Sequence, residues 1–495
     1  MRIIIAVAAL IAIGLGVWHL AGATAGLTVT RTEVGGIPVT TFRPAAGPPG
    51  PVVVIGHGFA GSQQLMQPFA VTLARNGYTA VTFDFPGHGR NPAPLPGGLA
   101  DEDRRNAALM GALSQVVAFA HADALLGHSM ASDIVIRYAE AHPEVQATVA
   151  VSAFSPSVTA TSPRNLLIIV GGLEPAMLRD EGLRIAGQAA SGPPRPRVTY
   201  GRFADGTARR VSFSGGVEHI GVLYSRQSMV EALDWLDAAF GWRGNGYVDT
   251  RGPWLGLLYA GLIALAWPLS ALLPRAAAAP LGGGLGWRRL LPVALLPAVL
   301  TPLILWKLPT DFLPILLGDY IAVHFAVYGG LTWAGLSMVR RPAGASVPVS
   351  RAALAVAATA LAAYSILAIG LPIDAYVTSF LPTPGRAPLI LAILCGTLPY
   401  FAADEWLTRG PGAPRGAYAL TKLCFLLSLA LAIGLNLPRL FFLIIIVPVI
   451  LAFFVVYGLF STWAYRRTRH PLVGALANAL AFAWAIAVTF PLVSR

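Results

Sequence analysis

Apolar positions are distributed along this chain in two ways. From Trp254 to the C-terminus, apolar stretches of membrane-crossing length recur at roughly 254–273, 290–306, 312–338, 352–371, 387–407, 417–436, 440–464 and 472–493; about 17 residues or more cover ~30 Å of hydrocarbon at 1.5 Å per residue. A ninth stretch occupies residues 3–21. Between about Thr28 and Asp249 the pattern is shorter in wavelength: β-branched runs such as PVVVIGHGFAGS (51–62), YTAVTFDFPGHGRN (78–91), VQATVAVSAF (145–154) and NLLIIVGGLEP (165–175) alternate with helical spacing that follows the first run through Asn76 and recurs over about 101–121 and 130–142. Buried strands separated by amphipathic helices predict a doubly wound, mainly parallel α/β sheet covered on both faces. The expected organisation is an N-terminal signal anchor or signal peptide (1–27), an α/β domain (28–250) and an all-α multi-pass membrane domain of about eight helices (251–495).

Composition agrees with part of the chain residing in lipid, since 55% of its 495 residues are hydrophobic and 12% charged. Charge then refines the picture. Residues 28–251 hold 18 Arg, no Lys and 18 acidic residues, so the whole +12 comes from the 17 basic and five acidic residues elsewhere. That excess sits in short loops between spans, which makes it a topology signal and excludes a nucleic-acid footprint. The loops alternate: Arg275, Arg288 and Arg289; Lys307; Arg340, Arg341 and Arg351; Arg386; Arg409 and Arg415; Arg439; Arg466, Arg467 and Arg469. With the Arg-rich loops cytoplasmic, the α/β domain is expected on the extracytoplasmic (periplasmic) side of the cytoplasmic membrane. The N-terminal stretch, ending in a small-residue A-x-A at Ala23–Ala25, is expected to export the α/β domain whether or not it is cleaved. Cys395 and Cys424 both fall in apolar stretches, so no disulfide framework or CxxC metal site is expected.

The α/β segment carries one serine in a telling context, ADALLGHSMASD (122–133). Together, HGFAGS after one strand, DFPGHGRN after the next and GHSMA between strand and helix resemble the α/β-hydrolase fold over roughly residues 35–240. Gly127-His128-Ser129-Met130-Ala131 is similar to the nucleophile-elbow pattern G-x-S-x-G, with Ala131 in place of the last glycine. A serine on a sharp strand-to-helix turn needs small neighbours two residues away, and the next helix aims its first N–H groups at the reacting oxygen. The Met130 amide is therefore a natural oxyanion donor. The resemblance implies a second donor at the Phe59 amide.

A serine hydroxyl needs a base, and the base a carboxylate to orient it. The resemblance implies the chain order Ser, acid, His, which places the acid at Glu174, with Asp180 and Asp205 as rivals, and the base at His219 in GGVEHIGVLYS. His57 is expected to shape the oxyanion loop, and Asp84 and His88 to brace the DFPGHG turn. About ten residues, Ser155–Arg164, separate two strands where many relatives insert a helical lid, so an open pocket is expected. In the membrane half, Asp319 and His324, five residues apart, form a possible polar site, with Asp404 and Glu405 near a helix end. Asp319 is expected about seven residues inside its helix.

These readings point to a membrane-bound serine hydrolase that cleaves ester or thioester bonds of a small-molecule or lipid acyl substrate, with no metal or organic cofactor and with membrane lipids as its surroundings. The alternatives are an acyltransferase using the same three residues, or a transporter or membrane scaffold with a hydrolase-like sensor domain.

Overall fold

The structure is a computed structural model, and it describes residues 1–98, 101–339 and 347–494; Arg340 and Arg341 lie outside the described residues. Residue contacts divide the chain into two compact units. One comprises residues 14–258, 373–379 and 491–495, and the other residues 1–13, 259–372 and 380–490.

The first unit is built on an eight-stranded sheet of β1 (Leu27–Val34), β2 (Ile37–Pro44), β3 (Val52–Gly56), β4 (Thr79–Phe83), β6 (Ala124–His128), β7 (Ala147–Val151), β8 (Leu166–Gly171) and β9 (Arg209–Ser214), in the order β1-β2-β4-β3-β6-β7-β8-β9. From β4 to β9 every neighbour is parallel, while β2 is antiparallel to both β1 and β4. The β1–β2 hairpin turns at Gly35 and Gly36, whose φ of 58° and 84° give the positive-φ pair that a two-residue turn with matching twist requires. A short strand β5 (Leu95–Pro96) pairs in parallel with β10 (Val493–Ser494).

Helices cover both faces because the central strands are apolar on both. On one face α2 (Gln67–Arg75) and α6 (Arg226–Phe240) pack Phe69, Leu73 and Trp235 onto Val53, Ile55, Leu126 and Val149. On the other face α4 (Met130–Ala141) and α5 (Ala176–Gly187) bring Ile136 and Ile185 against Ile168, Val170 and Val211. Each such side chain, taken fully out of water, contributes roughly 1.5–3 kcal/mol before entropy is counted. α3 (Glu102–Ala120) is capped by Asp101, which accepts from the Arg104 N–H, and it stops where His121 turns left-handed. No helix interrupts residues 152–165 between β7 and β8, as the missing lid predicts.

The described residues contain nine helices long and apolar enough to cross a membrane. They are α1 (Arg2–Gly22), Arg251–Leu272, Trp287–Leu305, Gly318–Val339, Arg351–Tyr376, Ala387–Thr408, Ala417–Leu435, Leu443–Thr468 and Pro471–Thr489. Within the second unit, Pro471–Thr489 buries a run of small residues, among them Ala475, Ala479, Ala483 and Ala487, which lets neighbouring backbones approach closely. Two helix limits differ from the apolar pattern. The third stretch becomes helical only at Gly318, because Pro309 and Pro314 lie in its approach and Leu317 adopts a φ of 65°. The last helix stops at Thr489, and the apolar residues after Pro491 go into β10.

Candidate active site

At the C-terminal end of β6 the chain turns into α4 through Ser129, whose φ of 53° and ψ of −116° lie outside the regions open to ordinary residues. Strain of this kind persists only where the surroundings over-determine it. Here the Ser129 N–H donates to Val151 O at 2.8 Å and its carbonyl accepts from the Ser132 N–H at 2.9 Å. A Cβ on Gly127 would sit 2.4 Å from Ala131 O, so β6 and α4 meet as closely as backbone allows. Ala131, where the elbow pattern has glycine, is accommodated by a second glycine: a Cβ on Gly56 of the adjacent strand would lie 2.9 Å from the Ala131 methyl.

The structure brings Ser129, His219 and Glu174 together. The Ser129 hydroxyl lies 2.9 Å from His219 Nε2, and His219 Nδ1 lies 2.7 Å from Glu174 Oε2. Glu174 is 2% exposed, a depth at which a carboxylate must be fully hydrogen-bonded. Its other oxygen accepts from the Gly171 N–H and the Ser152 hydroxyl, both at 2.7 Å. Of the rival acids, Asp205 pairs with Arg202 at 3.3 Å in an exposed turn, and Asp180 is exposed on α5. The His219 loop is held on both sides, since Glu218 accepts from the Ile220 and Gly221 N–H groups and Leu173 N–H donates to Val217 O.

The loop after β3 passes directly over the serine, because a Cβ on Gly58 would lie 3.0 Å from Ser129 Cβ. Phe59 follows in this loop, and Met130 is the first residue of α4. His57 is fully buried beneath, with Nδ1 donating to Gly58 O at 2.9 Å and Nε2 accepting from the Phe85 N–H at 3.1 Å. Burial pushes its pKa below the usual histidine value, consistent with this neutral pattern. The buried Asp84 carboxylate accepts from the Gln63 and Arg90 N–H groups at 2.8 and 2.9 Å, so it braces the neighbouring turns.

Three contributors have no signature in the sequence. Ser152, at φ 57°, supplies the hydroxyl to Glu174, and only the β7–β8 pairing places it there. His128, beside the serine, donates from Nε2 to His219 O at 3.0 Å, while its buried Nδ1 has no partner among the described residues. Burial first, and the adjacent His219 second, hold the His128 pKa well below the usual value. Residues 374–379 complete the same unit: the Ser379 N–H donates to Ser62 Oγ at 2.8 Å, Gln64 Nε2 to Asp374 O at 3.2 Å, and Arg90 pairs with Asp374 at 2.5 Å. The signal for this last set is absent locally, because its partners are some 300 residues apart in the chain.

The second unit does not bring Asp319 and His324 together as a shared site. Asp319 lies in the first turn of its helix, not seven residues within it, and its carboxylate accepts from the Tyr320 N–H at 2.8 Å. His324 Nε2 lies 3.1 Å from Ser428 Oγ. The apolar pattern concealed a more extensive network: Asp404 pairs with Lys422, and Glu405 with Arg409 at 2.9 Å, while Ser461 donates to Glu405. Lys422 is a lone charge in the stretch AYALTKLCF, and that was the available signal. Among the described residues no group of three or more His, Cys, Asp or Glu side chains is placed to hold a metal.

The sheet order and the strained serine turn define an α/β-hydrolase fold in the N-terminal part of the chain, followed by a helical region rich in long apolar helices. Residues 47–176 match the model of the family described as serine aminopeptidase, S33. No curated protein matches the chain. Among solved structures, the chain is similar to a predicted CIB-like hydrolase from Thermoplasma acidophilum (16% identity, covering 42% of this chain and 97% of that one, TM-score 0.34). It is also similar to the epoxide hydrolase VrEH1 from Vigna radiata (14%, 43% and 98%, TM-score 0.31) and to TT1662 from Thermus thermophilus (15%, 44% and 99%, TM-score 0.32).

Proposed function

We propose that this hydrolase is a membrane-bound serine hydrolase that cleaves ester or thioester bonds. The observation that carries this reading is the relay from Ser129 through His219 to Glu174, at 2.9 and 2.7 Å, on a serine held in a strained turn. Glu174, one oxygen of which is taken by Ser152 and Gly171, accepts the Nδ1–H of His219 through the other and so fixes the tautomer that leaves Nε2 free to take the serine proton. Ser129 Oγ attacks the acyl carbonyl, and the Phe59 and Met130 amides stabilise the oxyanion. His219 returns the proton to the leaving group, and water then resolves the acyl-enzyme by the same route. An acyl substrate suits the surroundings, because Leu173 and Met177, on either side of Glu174 in the chain, are large apolar residues about half exposed or more.

The same reading places the hydrolase unit on the extracytoplasmic side of a cytoplasmic membrane. Support comes from parity: the unit's segments 14–258, 373–379 and 491–495 follow the first, fifth and ninth apolar helices and precede the second and sixth, so all emerge on one face if each helix crosses once. The Arg-rich loops fall on the opposite face.

A fluorophosphonate probe on the full chain in detergent tests the chemistry. Labelling of the wild type that disappears in both Ser129→Ala and His219→Ala is expected, together with hydrolysis of p-nitrophenyl esters. Folded wild-type protein that neither labels nor hydrolyses any ester in a chain-length series would refute the reading.

A further inference from the structure

The hydrolase unit contains a cleft of about 800 Å³ whose lining includes none of Ser129, His219 and Glu174. It is lined by residues at the ends of three of the long apolar helices: Leu20 in the last turn of α1, Arg251 at the start of Arg251–Leu272, and Tyr376 at the end of Arg351–Tyr376. A helix that crosses a bilayer ends at headgroup depth, so a cleft lined by three such ends lies at that depth.

One wall of the cleft is β1, which begins at Leu27, shortly after α1 ends at Gly22. Val29, Arg31 and Glu33 alternate onto one face of this strand, roughly 6.6–6.8 Å apart from one to the next, and all three line the cleft. In chain order away from the apolar helix they present an aliphatic side chain, a guanidinium and a carboxylate. Among the described residues neither Arg31 nor Glu33 forms an ion pair, whereas the other charged groups of the lining are matched, Arg90 with Asp374 and Arg251 with Asp249. The unmatched charges are therefore one cation and one anion side by side, next to the end of a membrane helix.

We infer that this cleft binds the headgroup of a phospholipid that carries a phosphodiester and a primary ammonium. Arg31 meets the phosphate through its forked N–H donors. Glu33 accepts the ammonium N–H groups, and Val29 with Leu20 contacts the glycerol and first acyl carbons. A purely anionic headgroup would leave Glu33 facing like charge, and a quaternary ammonium offers it no N–H. The inference does not rest on the serine chemistry.

The test is lipid retention by the full chain, reconstituted in nanodiscs of mixed phosphatidylethanolamine, phosphatidylcholine and phosphatidylglycerol, transferred to detergent and read by native mass spectrometry. Wild type is expected to retain phosphatidylethanolamine about tenfold over the other two. Arg31→Glu should abolish that retention, and Glu33→Gln should reduce it to the phosphatidylcholine level; both residues are exposed on an edge strand, and an unchanged circular dichroism spectrum and melting point show that the fold is intact. Equal retention of all three lipids, a preference for phosphatidylglycerol, or retention unaltered by Arg31→Glu would overturn the inference. So would displacement of the lipid by an equal concentration of soluble glycerophosphoethanolamine, which would assign the cleft to a free headgroup.

Discussion

The two units handle buried charge differently. In the hydrolase unit, Glu174 is satisfied by a hydroxyl, an amide and an imidazole, and the imidazole has its second nitrogen directed at a half-buried serine. The chain of hydrogen bonds ends at the hydroxyl of a residue that is partly open to solvent. In the membrane unit, Asp404 and Lys422, and Glu405 and Arg409, close on each other, and all four side chains are buried. The first arrangement leaves an open end, whereas the second pairs its charges internally, Glu405 with Arg409 at the end of one helix and Asp404 with Lys422 between two. A charged group buried in either unit is costly; what separates these two arrangements is whether the chain of partners closes on itself or ends at a half-buried hydroxyl.

The largest expected effect separates chemistry from scaffold. Ser129→Ala should lower ester hydrolysis by roughly 10⁴-fold or more while leaving the melting point of the detergent-solubilised protein unchanged, because it removes the reactive end and no packing. Lys422→Met should do the reverse. It leaves Asp404 buried without its cation, a loss of about 3–5 kcal/mol in stability, seen as a lower melting point. The double variant Asp404→Asn/Lys422→Met should recover most of that loss. A Lys422→Met protein that melts normally but loses hydrolysis would collapse the comparison and give the ion network a part in the chemistry.

Much of this contrast is legible in the sequence, and the parts that are not share one cause. The elbow around Ser129 is local: strand, tight turn and helix lie within residues 124–141, so small neighbours and apolar runs announce it. Glu174 and His219 are legible through chain order and loop position. Ser152, by contrast, looks like any serine after a strand, and it matters only because β7 and β8 pair with Val151 opposite Ile169, which brings the next residue to Glu174. The β1–β2 hairpin is absent from the strands read above, although the alternation in LTVTRTEVGGIPVTTFRP and the Gly-Gly at its turn carry the signal for it. The segment 374–379 was not, because nothing in its own residues points to Ser62 or Gln64.

Ser152→Ala sharpens the comparison at smaller amplitude, since it makes the compensation of Glu174 incomplete without touching the serine or the base. A hydrogen bond to a charged group contributes about 1.5–3 kcal/mol. Part of that should appear in catalysis, as a fall in kcat of about tenfold with KM nearly unchanged, because Ser152 orients the relay and does not meet substrate. A proportionate rise in KM with unchanged kcat would show instead that Ser152 shapes the substrate pocket.

The smallest effect concerns two histidines that the hydrolase unit buries in neutral form. His57 and His128 are fully buried, and burial lowers the pKa of each below the ordinary 6.5. In the unfolded chain both take up protons as the pH falls through about 6.5, whereas in the folded unit they do so only at lower pH. The unfolded state therefore binds more protons in that window, and stability that is fully present above pH 6.5 declines below it, by at most about 1.4 kcal/mol per pH unit for each histidine. Hydrogen exchange in peptides covering β3 and β6, corrected for the intrinsic pH dependence of exchange, should show protection falling between pH 7 and pH 5.5, and His128→Gln should make that fall shallower. Nδ1 of His128 already lacks a partner, so the substitution removes a titrating group and leaves the amide to donate to His219 O in its place. Protection that stays flat across this range in the wild type would mean that the two imidazoles protonate in place without loss of stability, and burial would not be what keeps them neutral.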